Sequence, residues 1–120
     1  MSTAQKSSQK KSFNAPDETH TLPHAQMELV NFGDMSVARA VFEPGWRWSE
    51  HMRSLAGTES CQGTHFTYVI SGHLRTRMDD GTEFDLGPGD IAITAQGHDA
   101  WVLGDEPCIG LDIQGASRNV

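Results

Sequence analysis

From about residue 21 onward, apolar residues arrive in strand-length bursts, and each burst ends at residues that bend the chain. The bends fall at Gly33-Asp34, Pro44-Gly45, Ser71-Gly72, Asp80-Gly81, Gly87-Pro88-Gly89-Asp90, Gln96-Gly97 and Glu106-Pro107. Glycine reaches positive φ without steric cost and proline pre-sets its own φ, so such clusters mark turns by mechanism. The bursts carry β-branched and aromatic residues, as in Thr67-Tyr68-Val69-Ile70, which suit a pleated, half-buried surface. No segment holds an apolar face at helical spacing over several turns. The pattern predicts about seven or eight strands in an all-β sandwich or barrel. The stretch LRTRMDDGTEFDL predicts a hairpin closed at Asp80-Gly81. The Gly-Pro-Gly-Asp turn then feeds the run Ile91-Ala92-Ile93-Thr94. Residues 1–20, rich in Ser, Gln, Lys and Thr, have little to bury and read as a flexible tail. One β domain is expected over 21–120.

Period-two alternation divides the run from His65 to Ser71. His65, Thr67, Val69 and Ser71 share one face, and Phe66, Tyr68 and Ile70 share the other. The first face is smaller and more polar, as a ligand cavity needs. The second is apolar, and such a face on a small barrel predicts pairing with a second copy, a homodimer.

Composition narrows the partners more than the fold. Sixteen acidic residues against nine basic ones leave a net charge of −7, which disfavours nucleic acid and anionic membranes as partners. No apolar run approaches the length of a membrane span. The polar, cationic N-terminus leads into no apolar core, so a secretory signal is not expected. Cys61 and Cys108 match no zinc-finger spacing, and two reduced thiols in a cytoplasmic chain are the expectation.

Taken together, several pieces resemble the cupins over roughly residues 27–115. The Pro44-Gly45 turn ahead of a strand, the run from His65 to Gly72, the hairpin ending in Gly87-Pro88-Gly89-Asp90 and the turn Gln96-Gly97-His98 carry the resemblance. It implies a double-stranded β-helix, the cupin jelly-roll barrel, which commonly holds one metal in its mouth. The family pattern is a His-x-His pair followed by a Glu and a Gly, then a later Pro-x-Gly turn and a His.

This chain departs from that pattern at several positions. Seven residues before Gly72, where the glutamate would stand, is His65. His51 follows the Pro-Gly turn as the first histidine would, but the second member of that pair is then Arg53, whose guanidinium cannot ligate. Counting back from His65 instead puts Glu59 and Cys61 at the paired positions, and the extra residues Ser54 to Thr64 leave both registers open. In the second motif the expected histidine is Ala100, while His98 lies on the same face of an extended segment. The candidate metal ligands are therefore His51, His65, His98 and Cys61. Imidazole serves many divalent metals and a thiolate tilts the choice towards Zn or Fe, so the expected cofactor is a divalent ion among Fe, Zn, Mn and Ni.

The resemblance implies a metal-dependent enzyme, oxygenase- or isomerase-like, acting on a small organic molecule. Loss of the glutamate and of the second histidine keeps open an alternative, a non-catalytic module that senses a metal or small molecule. No residue is assigned a catalytic role. Trp46, Trp48 and Trp101 are expected in the core or at the rim of a pocket.

Overall fold

The computed structural model describes residues 8–115, so the expectations for residues 1–7 and 116–120 lie outside it. In chain order the strands are β1 (Glu18–Leu22), β2 (Ala25–Phe32), β3 (Met35–Phe42), β4 (His65–Ser71), β5 (His73–Met78), β6 (Glu83–Leu86), β7 (Ile91–Thr94), β8 (His98–Leu103) and β9 (Cys108–Gly115). Two single turns of helix, α1 (Trp48–His51) and α2 (Arg53–Ala56), lie between β3 and β4. A six-stranded sheet runs β1-β2-β3-β9-β4-β7, and a three-stranded sheet runs β6-β5-β8. Every named pair is antiparallel.

The predicted hairpin forms as β5 and β6, with Leu74 opposite Leu86 and Arg77 opposite Glu83. The Gly-Pro-Gly-Asp turn docks on β4: Gly89 N–H donates to the Val69 carbonyl at 2.9 Å, and Val69 N–H to the Asp90 carbonyl at 3.0 Å. Register slips between Val69 and Ser71 against β9, and such a bulge bends a strand and tightens its twist. The chain then leaves the larger sheet for the smaller one at Gly72, whose φ of 76° belongs to the left-handed region. A Cβ there would sit 2.1 Å from the Pro107 carbonyl oxygen. Only glycine fits that corner.

The sheet also reaches into the segment read as tail. β1 begins at Glu18 and pairs with β2 from Glu18–Leu29 to Leu22–Ala25. Just before it, the Asp17 carboxylate accepts from Asn31 N–H at 2.7 Å and from Lys11 Nζ at 2.8 Å. Four of the five β1 residues are exposed. An edge strand held by backbone bonds needs few apolar side chains, so composition gives no sign of it.

The inner faces are built from small side chains. Ala40 and Gly110 of the larger sheet, with Thr67 and Thr94, look towards Thr76 and Ala100 of the smaller one. Trp46 and Trp48, 5% and 7% exposed, close one side. Tryptophan fills that wall, but alanine, threonine and glycine opposite it cannot fill the middle. A cavity of about 180 Å³ remains between the sheets. The remaining tryptophan, Trp101, is half-buried under the Arg47 guanidinium, 4.1 Å from the ring centre.

Candidate metal centre

His65 opens β4, opposite Thr94 of β7, and its alternation puts it on the cavity side with Thr67. Tyr68 and Ile70 face outward at 40% and 44% exposure while Val69 is buried. This division of faces is the one the alternation predicts. His98 opens β8, after the Gln96-Gly97 turn, and is 5% exposed. Cys61 lies in neither sheet, but its backbone is laced to the start of β8. Cys61 N–H donates to the His98 carbonyl and Gly97 N–H to the Cys61 carbonyl, both at 2.7 Å. Those two bonds bring residues 37 positions apart side by side.

The ring nitrogens are sorted by their partners. His65 Nδ1–H donates to Asp112 Oδ2 at 3.0 Å, and His98 Nδ1–H donates to the Ala95 carbonyl at 2.8 Å. Each imidazole thereby has its Nε2 left as the coordinating nitrogen. His65 Nε2 lies 3.6 Å from Cys61 Sγ, and the two rings meet edge to face with centres 5.3 Å apart. One ligand atom from each of Cys61, His65 and His98 lies within 4.8 Å of the others. Two ligands of a tetrahedral zinc, at about 2.3 Å for sulfur and about 2.0 Å for nitrogen, stand roughly 3.5 Å apart. The Cys61–His65 spacing fits such a pair, and the donor set is of a kind that metals take.

Asp112 of β9 is the residue that sequence reasoning misses. It is 8% exposed and takes bonds from His65 Nδ1–H, from Phe66 N–H at 3.1 Å and from Gln114 Nε2–H at 3.2 Å. A carboxylate behind a ligating histidine fixes ring orientation and raises ligand basicity. A signal existed: Cys108, Gly110 and Asp112 alternate onto the inward face of an apolar strand, where an acidic residue is rare unless paired.

Electrostatics link the same groups. Burial works against the Cys61 thiolate, but bonds to His65, to His98 and to the Gly63 backbone prevail and bring the thiol down to about 6. The bond to Asp112, then that to Cys61, lifts His65 against burial to about 9. Without a metal the pair is a thiolate and an imidazolium near neutral pH. Cys108 behaves differently, since burial alone pushes its thiol up to about 11. Both cysteines are free.

The structure thus gathers three of the four candidate ligands. The fourth, His51, does not join them. It sits on α1, its Nδ1 lies 3.1 Å from both the amide nitrogen and the carbonyl oxygen of Arg47, and its ring is 4.4 Å from that of His24. The chain crosses there as helical turns, so the spacing that suits a strand does not apply. Glu59 is exposed, and its carbonyl accepts from Arg53 Nε at 3.1 Å. Of the alternative register, only Cys61 reaches the site.

Two facing antiparallel sheets around a small-residue interior give the chain a cupin-like jelly-roll fold, a double-stranded β-helix. Solved structures with the same fold include AerE from Microcystis aeruginosa, 23% identical over 82% of this chain with a TM-score of 0.63. Oxalate decarboxylase from Bacillus subtilis is 24% identical over 82% of this chain, with a TM-score of 0.59. A cupin-like protein from Thermotoga maritima is 18% identical over 76% of this chain, with a TM-score of 0.54. The matched part is 44% of AerE, 27% of the decarboxylase and 68% of the Thermotoga protein. No family model matches the sequence, and no curated protein matches it. Among the described residues no helix is long and apolar enough to cross a membrane.

Proposed function

We propose that this chain is a metal-binding cupin in which Cys61, His65 and His98 hold one divalent ion, and that it is an enzyme for a small organic molecule. The observation that carries the reading is the sorting of ring nitrogens. Two histidines from different strands each tie Nδ1 to an acceptor, and one ligand atom of each gathers with a thiol whose deprotonated form is favoured. Soft sulfur with two imidazoles suits Zn or Fe better than Mn, which prefers oxygen ligands. A bound ion of this kind supplies Lewis acidity, or redox chemistry where the metal is iron.

The chain's own residues set what can happen beside it. Three protein ligands leave coordination positions free, which is the arrangement of catalytic rather than structural sites. Asp112 holds His65 in one tautomer. Trp46, Trp48 and Phe42 give the cavity an apolar wall, and low-dielectric surface of that kind strengthens charge interactions beside it. Metal content of the purified protein tests this reading. About one equivalent per chain is expected, falling to near none in His65→Ala. A metal-free wild type that takes up no Zn(II) or Fe(II) on titration would overturn it.

One observation favours a second reading, a sensor that binds without turnover. Apart from the three ligands and Asp112, the cavity's polar side chains among the described residues are threonines and the indoles of Trp46 and Trp48. None of them titrates near neutral pH, so no separate general acid or base is in place. Turnover or oxygen uptake by metal-loaded protein across a substrate panel supports the enzyme. Ligand binding with no product supports the sensor.

A further inference from the structure

We infer that the cavity takes an uncharged organic molecule of about one ring, carrying an oxygen donor that points to Cys61, His65 and His98. The inference deepens the metal reading above and rests on it for that orientation.

Three observations support it. The first is charge. No lysine or arginine among the described residues lines the cavity, and its one carboxylate, Asp112, is already inside. The two positive charges of a divalent ion would be met by the Cys61 thiolate and the Asp112 carboxylate. The loaded site therefore has no surplus positive charge for an anionic ligand. Moving an anion out of water into such a space is costly even after relaxation, and no cationic side chain of the lining offsets it.

The second observation is the wall. Phe42, Trp46, Trp48, Leu74 and Leu86 supply aromatic and aliphatic surface, and Thr76 and Thr94, 2% and 5% exposed, add a polar group from each sheet. An apolar body with few polar atoms suits such a lining, in which Trp46 Nε1 is buried with no hydrogen-bond partner among the described residues. The third is size. The cavity is about 180 Å³, and apolar cavities of about 150 Å³ hold one benzene.

A matched pair of probes tests the inference: benzyl alcohol, which is neutral, and benzoate, which is ionised at pH 7. Each is titrated into zinc-loaded full-length protein, read by calorimetry and by quenching of tryptophan fluorescence. Benzyl alcohol is expected to bind at least about tenfold more tightly than benzoate. Benzoate binding equally or better would overturn the inference, and so would zinc-loaded protein that binds neither. The preference for the alcohol holds without zinc as well, because no lysine or arginine among the described residues lines the cavity to meet a carboxylate and Asp112 is already inside it. Protein that takes neither Zn(II) nor Fe(II) but still prefers the alcohol would end the metal reading and support the ligand class. Met52→Lys places a cation at the half-buried edge of the cavity, and Leu22→Lys does so from β1. In whichever variant folds, benzoate affinity should rise at least tenfold relative to the alcohol. No such rise in a folded variant would count against the inference. If neither variant folds, the wild-type pair decides.

Discussion

Asp112 and His51 are opposite cases of what one residue can reveal. Asp112 sits behind His65, and removing its charge should loosen the metal and leave the strand intact. Asp112→Asn is expected to lower zinc affinity roughly 10- to 100-fold, the usual cost of losing such a partner, measured by competition with a coloured chelator. His51→Ala is expected to keep one equivalent of metal, because the ring touches Arg47 and His24 instead of the cluster. Unchanged affinity in the first variant, or lost metal in the second, would contradict this assignment of roles. The titration states give a further test. With Cys61 lowered to about 6 and His65 raised to about 9, the metal-free protein at pH 7.5 carries a thiolate and a protonated ring. Coordination requires the thiolate and the neutral ring. Binding therefore releases about one proton at that pH, and affinity climbs as pH rises to about 9. Below about 6 a second proton must leave Cys61, so affinity falls more steeply. Calorimetry in buffers of different ionisation enthalpy counts those protons, and a release near zero at pH 7.5 would count against the His65 assignment.

At the scale of elements, the corner after β4 is the most exacting. Gly72 combines a positive φ with backbone of Pro107 and Cys108 directly against its α-carbon. Gly72→Ala adds left-handed strain and a backbone clash, and is expected to cost about 2–4 kcal/mol, read from denaturant unfolding. A cost under about 1 kcal/mol would mean the corner is looser than it stands here. Most elements were legible because turn residues announce themselves: Asp80-Gly81, Gly87-Pro88-Gly89-Asp90 and Gln96-Gly97 all bend where the sequence places them. β1 was not legible, because a strand exposed on both faces has no alternation to show. The helical turns of α1 and α2 were not legible either. Four residues are too few to show a helical period, and their form decided that His51 would miss the site.

For the whole molecule, alternation in β4 located one wall of the cavity, and two of the three proposed ligands, His65 and His98, followed from family-like positions. Cys61 entered only through a register that competed with His51. What chooses between the registers is the pairing of Cys61 with His98, a long-range backbone contact that no local pattern encodes. The outer face is a separate matter. Tyr68, Ile70, Ile91 and Ile93 are 40%, 44%, 64% and 68% exposed, Tyr68 stands opposite Ile91, and β7 is an edge strand. A second copy of the chain is the proposed cover, since pairing would bury the isoleucines and satisfy the open edge together. Sedimentation of wild type at about 100 μM should show a dimer, and Ile91→Lys with Ile93→Lys a folded monomer. A monomeric wild type would remove the dimer without touching the metal centre.

Cobalt titration of the metal-free protein bears most directly on the central claim, because cobalt reports its own ligands. One equivalent of Co(II) should produce intense thiolate-to-metal charge transfer together with the visible bands of low coordination number. Cys61→Ala should abolish the charge transfer, and His65→Ala and His98→Ala should each weaken binding. Cobalt that binds without the charge-transfer band, or a band that persists in Cys61→Ala, would show that these three side chains do not share an ion.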